Sequence, residues 1–267
     1  MKDIGFFLEV NNLKPNAINI AKELKAFLSS EGQRITTNLE DANICISIGG
    51  DGTFIKTSKK IRETGKDIFI FGINGGTLGY LTEGTKDNFR DKLLKIINSE
   101  YEIENRMVID GFLVREGNEI AHFEALNDIV LSKHRFGIIR FYVLVDGEFL
   151  TNYTADGMIC STPTGSTSYA LSAGGSIISP ESQMIELVPL APHTVLNRSI
   201  ILPSNAKITL VLKEIRNDII ANAIFDGNII EAQVGDKIEI IKSKNSTKVI
   251  RVDKRSFVEM ISQKIGC

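Results

Sequence analysis

An α/β domain followed by an all-β domain is what this chain of 267 residues predicts. Three observations carry that expectation. Residues 1–100 alternate strand-like and helix-like patterns, residues 101–252 break into short alternating runs with tight-turn pairs between them, and a helical pattern returns only at 256–265. Alternating βα units with short buried strands imply a mostly parallel sheet with helices on its faces.

Residues 4–10 (IGFFLEV) read as a buried strand. Pro15 then opens a helix, where its missing N–H does no harm. Ala17, Ile20, Ala21, Leu24, Phe27 and Leu28 fall on one face of that helix, and Gly32 suits its end. Residues 43–48 (NICISI) form a short apolar strand, followed at once by Gly49-Gly50-Asp51-Gly52-Thr53. A helix-like stretch runs to about residue 63, with Gly65 as its stop. Residues 67–71 (DIFIF) are another strand, and 72–79 (GINGGTLG) are a second glycine-rich loop. Thr85 is the expected cap of a helix with apolar positions Phe89, Leu93, Ile96 and Ile97. The whole reads as a Rossmann-like α/β domain.

The second half changes texture. Asp146-Gly147 and Asp226-Gly227 each sit between apolar runs, a signal for tight hairpins. Residues 207–213 (KITLVLK) are a further strand, and one short helix is expected around 167–173. This half reads as an antiparallel β-sandwich. In the last helix Phe257, Met260 and Ile261 are spaced to dock on the first domain. The expected domains are therefore 1–100, with 253–267 packing back on it, and 101–252.

Composition narrows the function classes. Hydrophobic residues make up 43% and charged residues 24%, both ordinary for a soluble globular protein. Lys plus Arg is 31 and Asp plus Glu is 33, a net charge of −2. With a pI near 6.0, the chain lacks the basic field that nonspecific nucleic-acid binding needs. Cys45, Cys160 and Cys267 are far apart and form no CxxC pair, so neither a zinc ribbon nor a disulfide scaffold is indicated. Cys45 and Cys160 read as small core residues in a reducing compartment. His122, His134 and His193 show no metal-ligand spacing. No apolar run approaches the roughly 18 residues of a membrane span, and the N-terminus enters a strand without a signal-peptide pattern. The expected location is the cytoplasm.

The sharpest chemical signal is Gly49-Gly50-Asp51-Gly52-Thr53. It stands where a buried strand ends and a helix begins, the usual ligand crevice of α/β sheets. Closely spaced glycines let a backbone approach a phosphate and aim N–H groups at it, and a helix N-terminus adds partial positive charge. Asp51 is the informative residue, because a carboxylate repels phosphate. It makes sense as the acceptor of a proton from an attacking hydroxyl, or as a holder of a bridging cation. An ordinary turn containing Asp is the alternative reading of the motif alone.

Residues 161–168 (STPTGSTS) carry six hydroxyls, enough to hydrogen-bond a sugar, a base edge or a phosphate. An exposed Ser/Thr turn is the alternative. Asp156-Gly157 just upstream adds an acceptor suited to ribose hydroxyls. Asn127 and Asp128 are read as lying inside an apolar strand, where buried polar groups need partners. The chain has no GxxxxGK[ST] and no GxGxxG after a strand, so the common nucleotide frameworks are excluded.

Together, GGDGT at 49–53, Asn127-Asp128 and TPTGSTSYALSAGG at 162–175 closely resemble the NAD kinase family. Supporting pieces stand in the family's order: 72–81 (GINGGTLGYL), Asp156-Gly157, 189–194 (PLAPHT) and 197–203 (NRSIILP). The resemblance covers essentially the whole chain. TPTGST is its most specific part. GGDGT alone is shared with lipid kinases of the diacylglycerol and sphingosine type, and a near version occurs in phosphofructokinases.

The resemblance implies transfer of the γ-phosphoryl group of ATP, or of polyphosphate, to the adenosine 2′-hydroxyl of NAD, giving NADP. It makes Asp51 the general base and lines the phosphate site with Gly50 and Gly52. Asn127 and Asp128 would hold the adenosine part of NAD. Thr167, Ser168, Tyr169 and Ser172 would surround the adenine, with Asp156 and Ala191 on the nicotinamide side. Thr53, Asn74, Tyr80, Thr162 and Ser166 complete the implied nucleotide contacts. Mg²⁺ or another divalent cation would arrive with ATP, with no metal ligands of the protein's own. The implied partners are small-molecule nucleotides, with no nucleic acid and no membrane, and the implied assembly is a homodimer or homotetramer through the β domain.

This chain departs from the family pattern in places. Asp128 stands where Glu is usual, one methylene shorter. Gly76 and Tyr80 stand where Thr and Phe are common, and Phe54-Ile-Lys56 after GGDGT is a modest variant. Two other functions compete. A lipid kinase would need an apolar cleft, and TPTGSTSY argues against it. A catalytically silent NAD(P)-binding regulator would not need Asp51.

Overall fold

In the computed structural model, which describes residues 4–76, 79–135, 137–216, 220–253 and 257–265, the chain divides into two units. One comprises 1–105 and 247–267, the other 106–246.

The first unit follows the βα alternation of its sequence: β1 (Gly5–Val10), α1 (Pro15–Ser30), β2 (Arg34–Ile35), β3 (Ile44–Gly49), α2 (Asp51–Glu63), β4 (Phe69–Asn74) and α3 (Phe89–Ile97). Its strands pair in parallel, in the order β2-β1-β3-β4. All six residues of β3 are buried, as a parallel strand covered on both faces requires. Pro15 opens α1, and Ala17, Ile20, Leu24 and Leu28 form its buried stripe. They share a core with Phe6, Ile46, Phe71, Phe89 and Leu93. Helix α2 is fixed to β3 by a buried hydroxyl pair, in which Thr57 Oγ1 donates to Ser47 Oγ at 3.1 Å.

Two expectations are corrected in this unit. The second glycine loop does not begin at Gly72, because residues 72–74 continue β4 in register with Ser47, Ile48 and Gly49. Thr77 and Leu78 of that loop lie outside the described residues. The cap of α3 is Asn88, not Thr85. The Asn88 side chain reaches back to accept the Thr85 N–H at 2.8 Å, so Thr85 belongs to the turn before the helix.

The second unit continues with β5 (Glu102–Arg115), β6 (Asn118–Ala125), β7 (Asp128–His134), β8 (Ile139–Val145), β9 (Glu148–Ala155), β10 (Gly157–Ser161), α4 (Tyr169–Ser172), β11 (Met184–Leu190), β12 (Ile200–Pro203), β13 (Ile208–Ile215), β14 (Ile220–Phe225), β15 (Asn228–Ala232) and β16 (Lys237–Arg251), and α5 (Phe257–Ile265) closes the chain. One sheet of this unit joins β5 and β6 to β16, β13, β8 and β9, and the other runs β12-β11-β10-β7-β14-β15. Ile109, Ile129, Phe141, Tyr153, Leu187 and Leu210, from strands of both sheets, lie in one core. Both Asp-Gly hairpins form. Asp146 and Gly147 have φ of 52° and 84°, and Asp226 and Gly227 have 44° and 87°, the paired positive values of a type I′ turn. Glu116 and Gly117, at 49° and 83°, make a third such turn that the sequence reading does not single out.

Strand β16 belongs to both units by chain continuity. Ile238 and Ile240 pair with β13, while Val249 pairs in parallel with Ile70 of β4. In the first unit the returning chain is held by a buried ionic group. Lys92 Nζ lies 3.0 Å from Glu83 and 2.6 Å from Asp253. Glu83 Oε1 also accepts the N–H groups of Val252 and Asp253. Ser256, the expected start of the last helix, and Cys267 lie outside the described residues. Cys45 and Cys160 are free and buried. No described helix is long and apolar enough to cross a membrane.

Candidate functional site

In the first unit, the strands β1, β3 and β4 end together. The N–H of Asn11, just past β1, donates to Ile48 O at 2.9 Å, and Gly75 N–H donates to Gly49 O at 2.9 Å. Helix α2 starts one residue after β3 ends, with Gly50 as its N-cap. A side chain at Gly49 would place its Cβ 2.3 Å from Thr53 Oγ1, so only glycine permits this abrupt turn. The N-cap makes no side-chain hydrogen bond, and Gly52 is exposed. The first-turn N–H groups and the positive end of the helix dipole are therefore not masked by a capping side chain.

Asp51, half-buried at the first position of α2, is held by the second loop. Its Oδ2 accepts the Tyr80 N–H at 2.8 Å and its Oδ1 accepts the Leu81 N–H at 3.0 Å. Each carboxylate oxygen has two acceptor sites, so both keep capacity for a further donor. A Cβ at Gly79 would stand 1.9 Å from Asp51 Oδ1, so glycine is required for the approach. Asn74 closes the same loop: its Oδ1 accepts the Gly76 N–H at 2.6 Å, and its Nδ2 donates to Thr82 Oγ1 at 3.1 Å. Thr53 Oγ1 accepts from Asn11 Nδ2 at 3.1 Å. The first unit thus gathers Gly50, Asp51, Gly52, Thr53, Asn74 and the Tyr80 backbone.

Sequence reasoning missed Lys14 here. It is exposed and immediately precedes Pro15 of α1, and its Nζ has no partner among the described residues. Its Nζ lies 3.8 Å from where a Cβ on Gly50 would stand. The Lys-Pro pair before an amphipathic helix is the signal that was available.

In the second unit, Asn127 is not inside a strand, which corrects the sequence expectation for it, while Asp128 is the first residue of β7. Asn127 sits in the break between β6 and β7. The N–H groups of Leu126, Asn127 and Asp128 turn away from the ladder to the carboxylate of Asp226, at 2.6, 2.9 and 3.1 Å. Asn127 Oδ1 is buried without a hydrogen-bond partner. Such an orphaned acceptor carries a desolvation penalty unless a donor meets it, which fits a site for a polar ligand. Burial first, and then the Asp226 carboxylate, push Asp128 up from its ordinary value of 3.8 to about 7.

The hydroxyl-rich loop is neither an exposed turn nor a simple ligand surface. Thr162 Oγ1 donates to Leu126 O at 2.6 Å, and Thr162 N–H donates to Asn127 O at 2.9 Å. Ser166 Oγ donates to Pro163 O at 2.7 Å and accepts the Ile178 N–H at 3.1 Å. Both side chains are fully buried, so their hydroxyls hold the loop to the Asn127 segment. Gly165 lets it close, since a Cβ there would meet Asn127 O at 2.2 Å.

Thr167 is half-buried, and Ser168, Tyr169 and Ser172 are exposed at and around α4. The Tyr169 hydroxyl is pushed above its ordinary value by burial, then by the Asp128 and Asp156 carboxylates. Asp156 Oδ1 lies 2.6 Å from Lys133 Nζ. Ala191, exposed and at φ 41°, follows Leu190, whose carbonyl accepts the Asp156 N–H at 2.9 Å. The second unit thus places Asn127 and Asp128 at the start of β7, beside the Ser161 end of β10, and Asp156 and Ala191 at the opposite end of β10 and β11, where Gly157 pairs with Ser132 and Leu190.

Two family models match the chain: the ATP-NAD kinase N-terminal domain over residues 12–101 and the ATP-NAD kinase C-terminal domain over residues 126–252. An NAD kinase of Lachnospira eligens is 35% identical, over 97% of this chain and 99% of its own length. One of Fusobacterium nucleatum is 37% identical, over 96% and 94%. Among solved structures, a yeast NADH kinase complexed with NADH has a TM-score of 0.84 at 22% identity, covering 98% of this chain and 87% of that one. An NAD kinase from Archaeoglobus fulgidus in complex with ATP has a TM-score of 0.76 at 23% identity, covering 98% and 96%. At these identities the two structures establish a shared fold.

Two stability predictions follow from the geometry. Gly79→Ala forces Asp51 and the second loop apart and is expected to cost about 1–3 kcal/mol, read as a lower urea midpoint at unchanged slope. Asp128→Asn is expected to do the reverse above neutral pH. A carboxyl raised from 3.8 to about 7 in the folded protein binds its proton more tightly there than in the unfolded chain. Its contribution to stability is therefore most favourable below pH 4 and declines as pH rises to 7. Asp128→Asn should raise Tm at pH 8, equivalent to roughly 1 kcal/mol or more, with little change at pH 4, in melts of the unliganded protein.

Proposed function

The chain belongs to the ATP-NAD kinase family, and on that premise we propose that it transfers the terminal phosphoryl group of ATP to the adenosine 2′-hydroxyl of NAD, giving NADP and ADP. The observation that carries the reading is the Asp51 carboxylate, fixed between Gly50 and Gly52 at the carboxyl end of β3 and held by two N–H groups of the second loop. A turn needs no carboxylate beside phosphates; a proton acceptor for an alcohol does. In the proposed step the 2′-oxygen forms a bond to the γ-phosphorus, the bond to the bridging oxygen breaks, and the hydroxyl proton goes to Asp51. Because the transition state is loose, the protein mainly positions reactants and stabilises charge. The two N–H groups hold the carboxylate in one orientation, while its remaining acceptor sites serve the hydroxyl.

The donor phosphates are assigned to the N-terminus of α2, with Gly50, Gly52 and Thr53 around them and Lys14 as the cation beside them. Polyphosphate presents the same chemistry as a donor. Adenosine is assigned to Asn127, Asp128 and the segment 167–172, with Asp156 and Ala191 toward the nicotinamide. Thr162, Ser166 and Asn74 act by holding the loops that carry the contacts. Among the described residues, no group of three or more His, Cys, Asp or Glu side chains is placed to hold a metal ion. A divalent cation belongs to the nucleotide in this reading, where it neutralises phosphate charge. The reading also places donor chemistry on a domain of 1–100 with 253–267, and NAD binding on 101–252. A cytoplasmic homodimer or homotetramer through the β domain completes it, supported by exposed Phe149, Ile201 and Ile229 on the second unit.

Incubation with ATP, Mg²⁺ and NAD should yield NADP, with diacylglycerol left unphosphorylated; the reverse result would sink the reading. Asp51→Asn should lower kcat by roughly 10²-fold or more and change NAD affinity by less than about tenfold. Asn also presents an NH₂ to one of the two loop N–H groups, so Gly79→Ala is the control: it disturbs the same contact and keeps the carboxylate. A near-wild-type kcat for Asp51→Asn would eliminate the base. Lys14→Ala should raise KM for ATP by about three- to tenfold, the scale of one charge-assisted contact, and leave KM for NAD nearly unchanged in steady-state kinetics.

A further inference from the structure

The Asp226-Gly227 pair is a sufficient turn for the β14–β15 hairpin, and Asn-Gly would serve a type I′ turn equally well. The geometry asks more of this residue. Asp226 Oδ2 accepts the Leu126 N–H at 2.6 Å, and Oδ1 accepts the N–H groups of Asn127 and Asp128 at 2.9 and 3.1 Å. Its own N–H donates to Asp128 O at 3.1 Å. Four hydrogen bonds thus tie one residue to three consecutive residues about a hundred positions earlier. A carboxylate accepts without donating, so it alone takes three N–H groups unopposed. The other Asp-Gly hairpin shows the contrast: Asp146 Oδ1 accepts a single N–H, that of Lys207, at 2.8 Å.

We propose that Asp226 is a positioning residue of the acceptor-nucleoside site, whose carboxylate fixes the Asn127–Asp128 segment and, by its charge, tunes the side chain of Asp128 for its hydroxyl partner. This rests on the assignment of Asn127 and Asp128 to the adenosine of NAD. The bonds set the path of the backbone at the break between β6 and β7, and so the direction in which both side chains leave it. The TPTGST loop depends on the same path, since Thr162 binds the carbonyls of Leu126 and Asn127.

The charge has its own effect. Among the described residues, the titratable groups that act on or respond to Asp128 are Asp226 from the hairpin turn, Tyr169 from α4 and Cys160 from β10. With Asp128 at about 7, its ionised, accepting form is lost as pH falls through neutrality. Binding of a ribose hydroxyl to Asp128 then weakens below pH 7. Removing the Asp226 charge moves that limb to lower pH.

Asp226→Asn tolerates the positive φ and tests both effects. The expected result has three parts: KM for NAD rises by about tenfold or more, kcat and KM for ATP stay within about threefold, and the acid limb of kcat/KM for NAD moves to lower pH. A merely structural role would lower Tm and damage all three kinetic constants together without moving the limb, and that result overturns the proposal. So does an unchanged KM for NAD with an unmoved limb. If Asp226→Asn folds too poorly to assay, Asp128→Asn gives the second test. It removes the titrating carboxyl and keeps the three N–H bonds, so the limb that falls through pH 7 must vanish; its persistence overturns the proposal. A wild-type protein that makes no NADP would instead sink the proposed function, and this inference with it.

Discussion

A carboxylate at the start of one helix must meet two peptide N–H groups of a separate loop, and the architecture around it follows from that contact. Asp51 can reach Tyr80 and Leu81 only because Gly79 has no side chain in the way. Helix α2 can begin where it does only because Gly49 leaves room for Thr53. The parallel sheet supplies the third condition by ending β1, β3 and β4 at one level. A glycine loop is usually credited with flexibility. Here the glycines permit short approaches, and the carboxylate and Asn74 then remove the flexibility the glycines bring.

The same device recurs through the molecule. Asp226 binds the backbone at 126–128, Glu186 Oε1 accepts the Ser176 N–H at 2.6 Å, and Glu83 accepts two N–H groups at 252–253. Each acidic side chain fixes a segment that has few apolar residues with which to pack. Hydrophobic burial can hold β3 or α1, but it cannot hold Gly75-Gly76 or STPTG. Hydrogen bonds from charged acceptors, at about 1.5–3 kcal/mol each, supply what burial cannot. An amide in place of a carboxylate keeps one acceptor oxygen and turns the other into a donor that faces an N–H group.

Much of this was legible in the residues, for identifiable reasons. Periodicity located α1 and its buried stripe, because Pro15 and the 3–4 spacing of Ala17, Ile20, Leu24 and Leu28 act locally. The Asp-Gly hairpins were legible because positive φ at two successive positions has a narrow residue code. The placement of Asn127 was not. Six apolar and polar residues in a row look like a strand, and the break is imposed by Asp226 from a distant part of the chain. The burial of Thr162 and Ser166 was hidden for a related reason: composition cannot tell a hydroxyl facing a ligand from one facing a carbonyl. Lys14 was passed over because the Lys-Pro pair marks only the start of a helix, and only the fold brings its ammonium near Gly50.

The return of β16 to pair with β4, sealed by Lys92, Glu83 and Asp253, has a consequence for biosynthesis. The unit that carries Asp51 is discontinuous in the chain, with the whole of the second unit inserted between its parts. On a ribosome adding roughly 5–20 residues per second, its first hundred residues emerge on the order of ten seconds or more before the segment that completes their sheet. During that interval β4 has an open edge, and Lys92 and Glu83 lack their partners at 252–253. The β-rich insert can close its own sandwich first. The nascent N-terminal half is then the stretch exposed to aggregation and to chaperone capture, although it is made first.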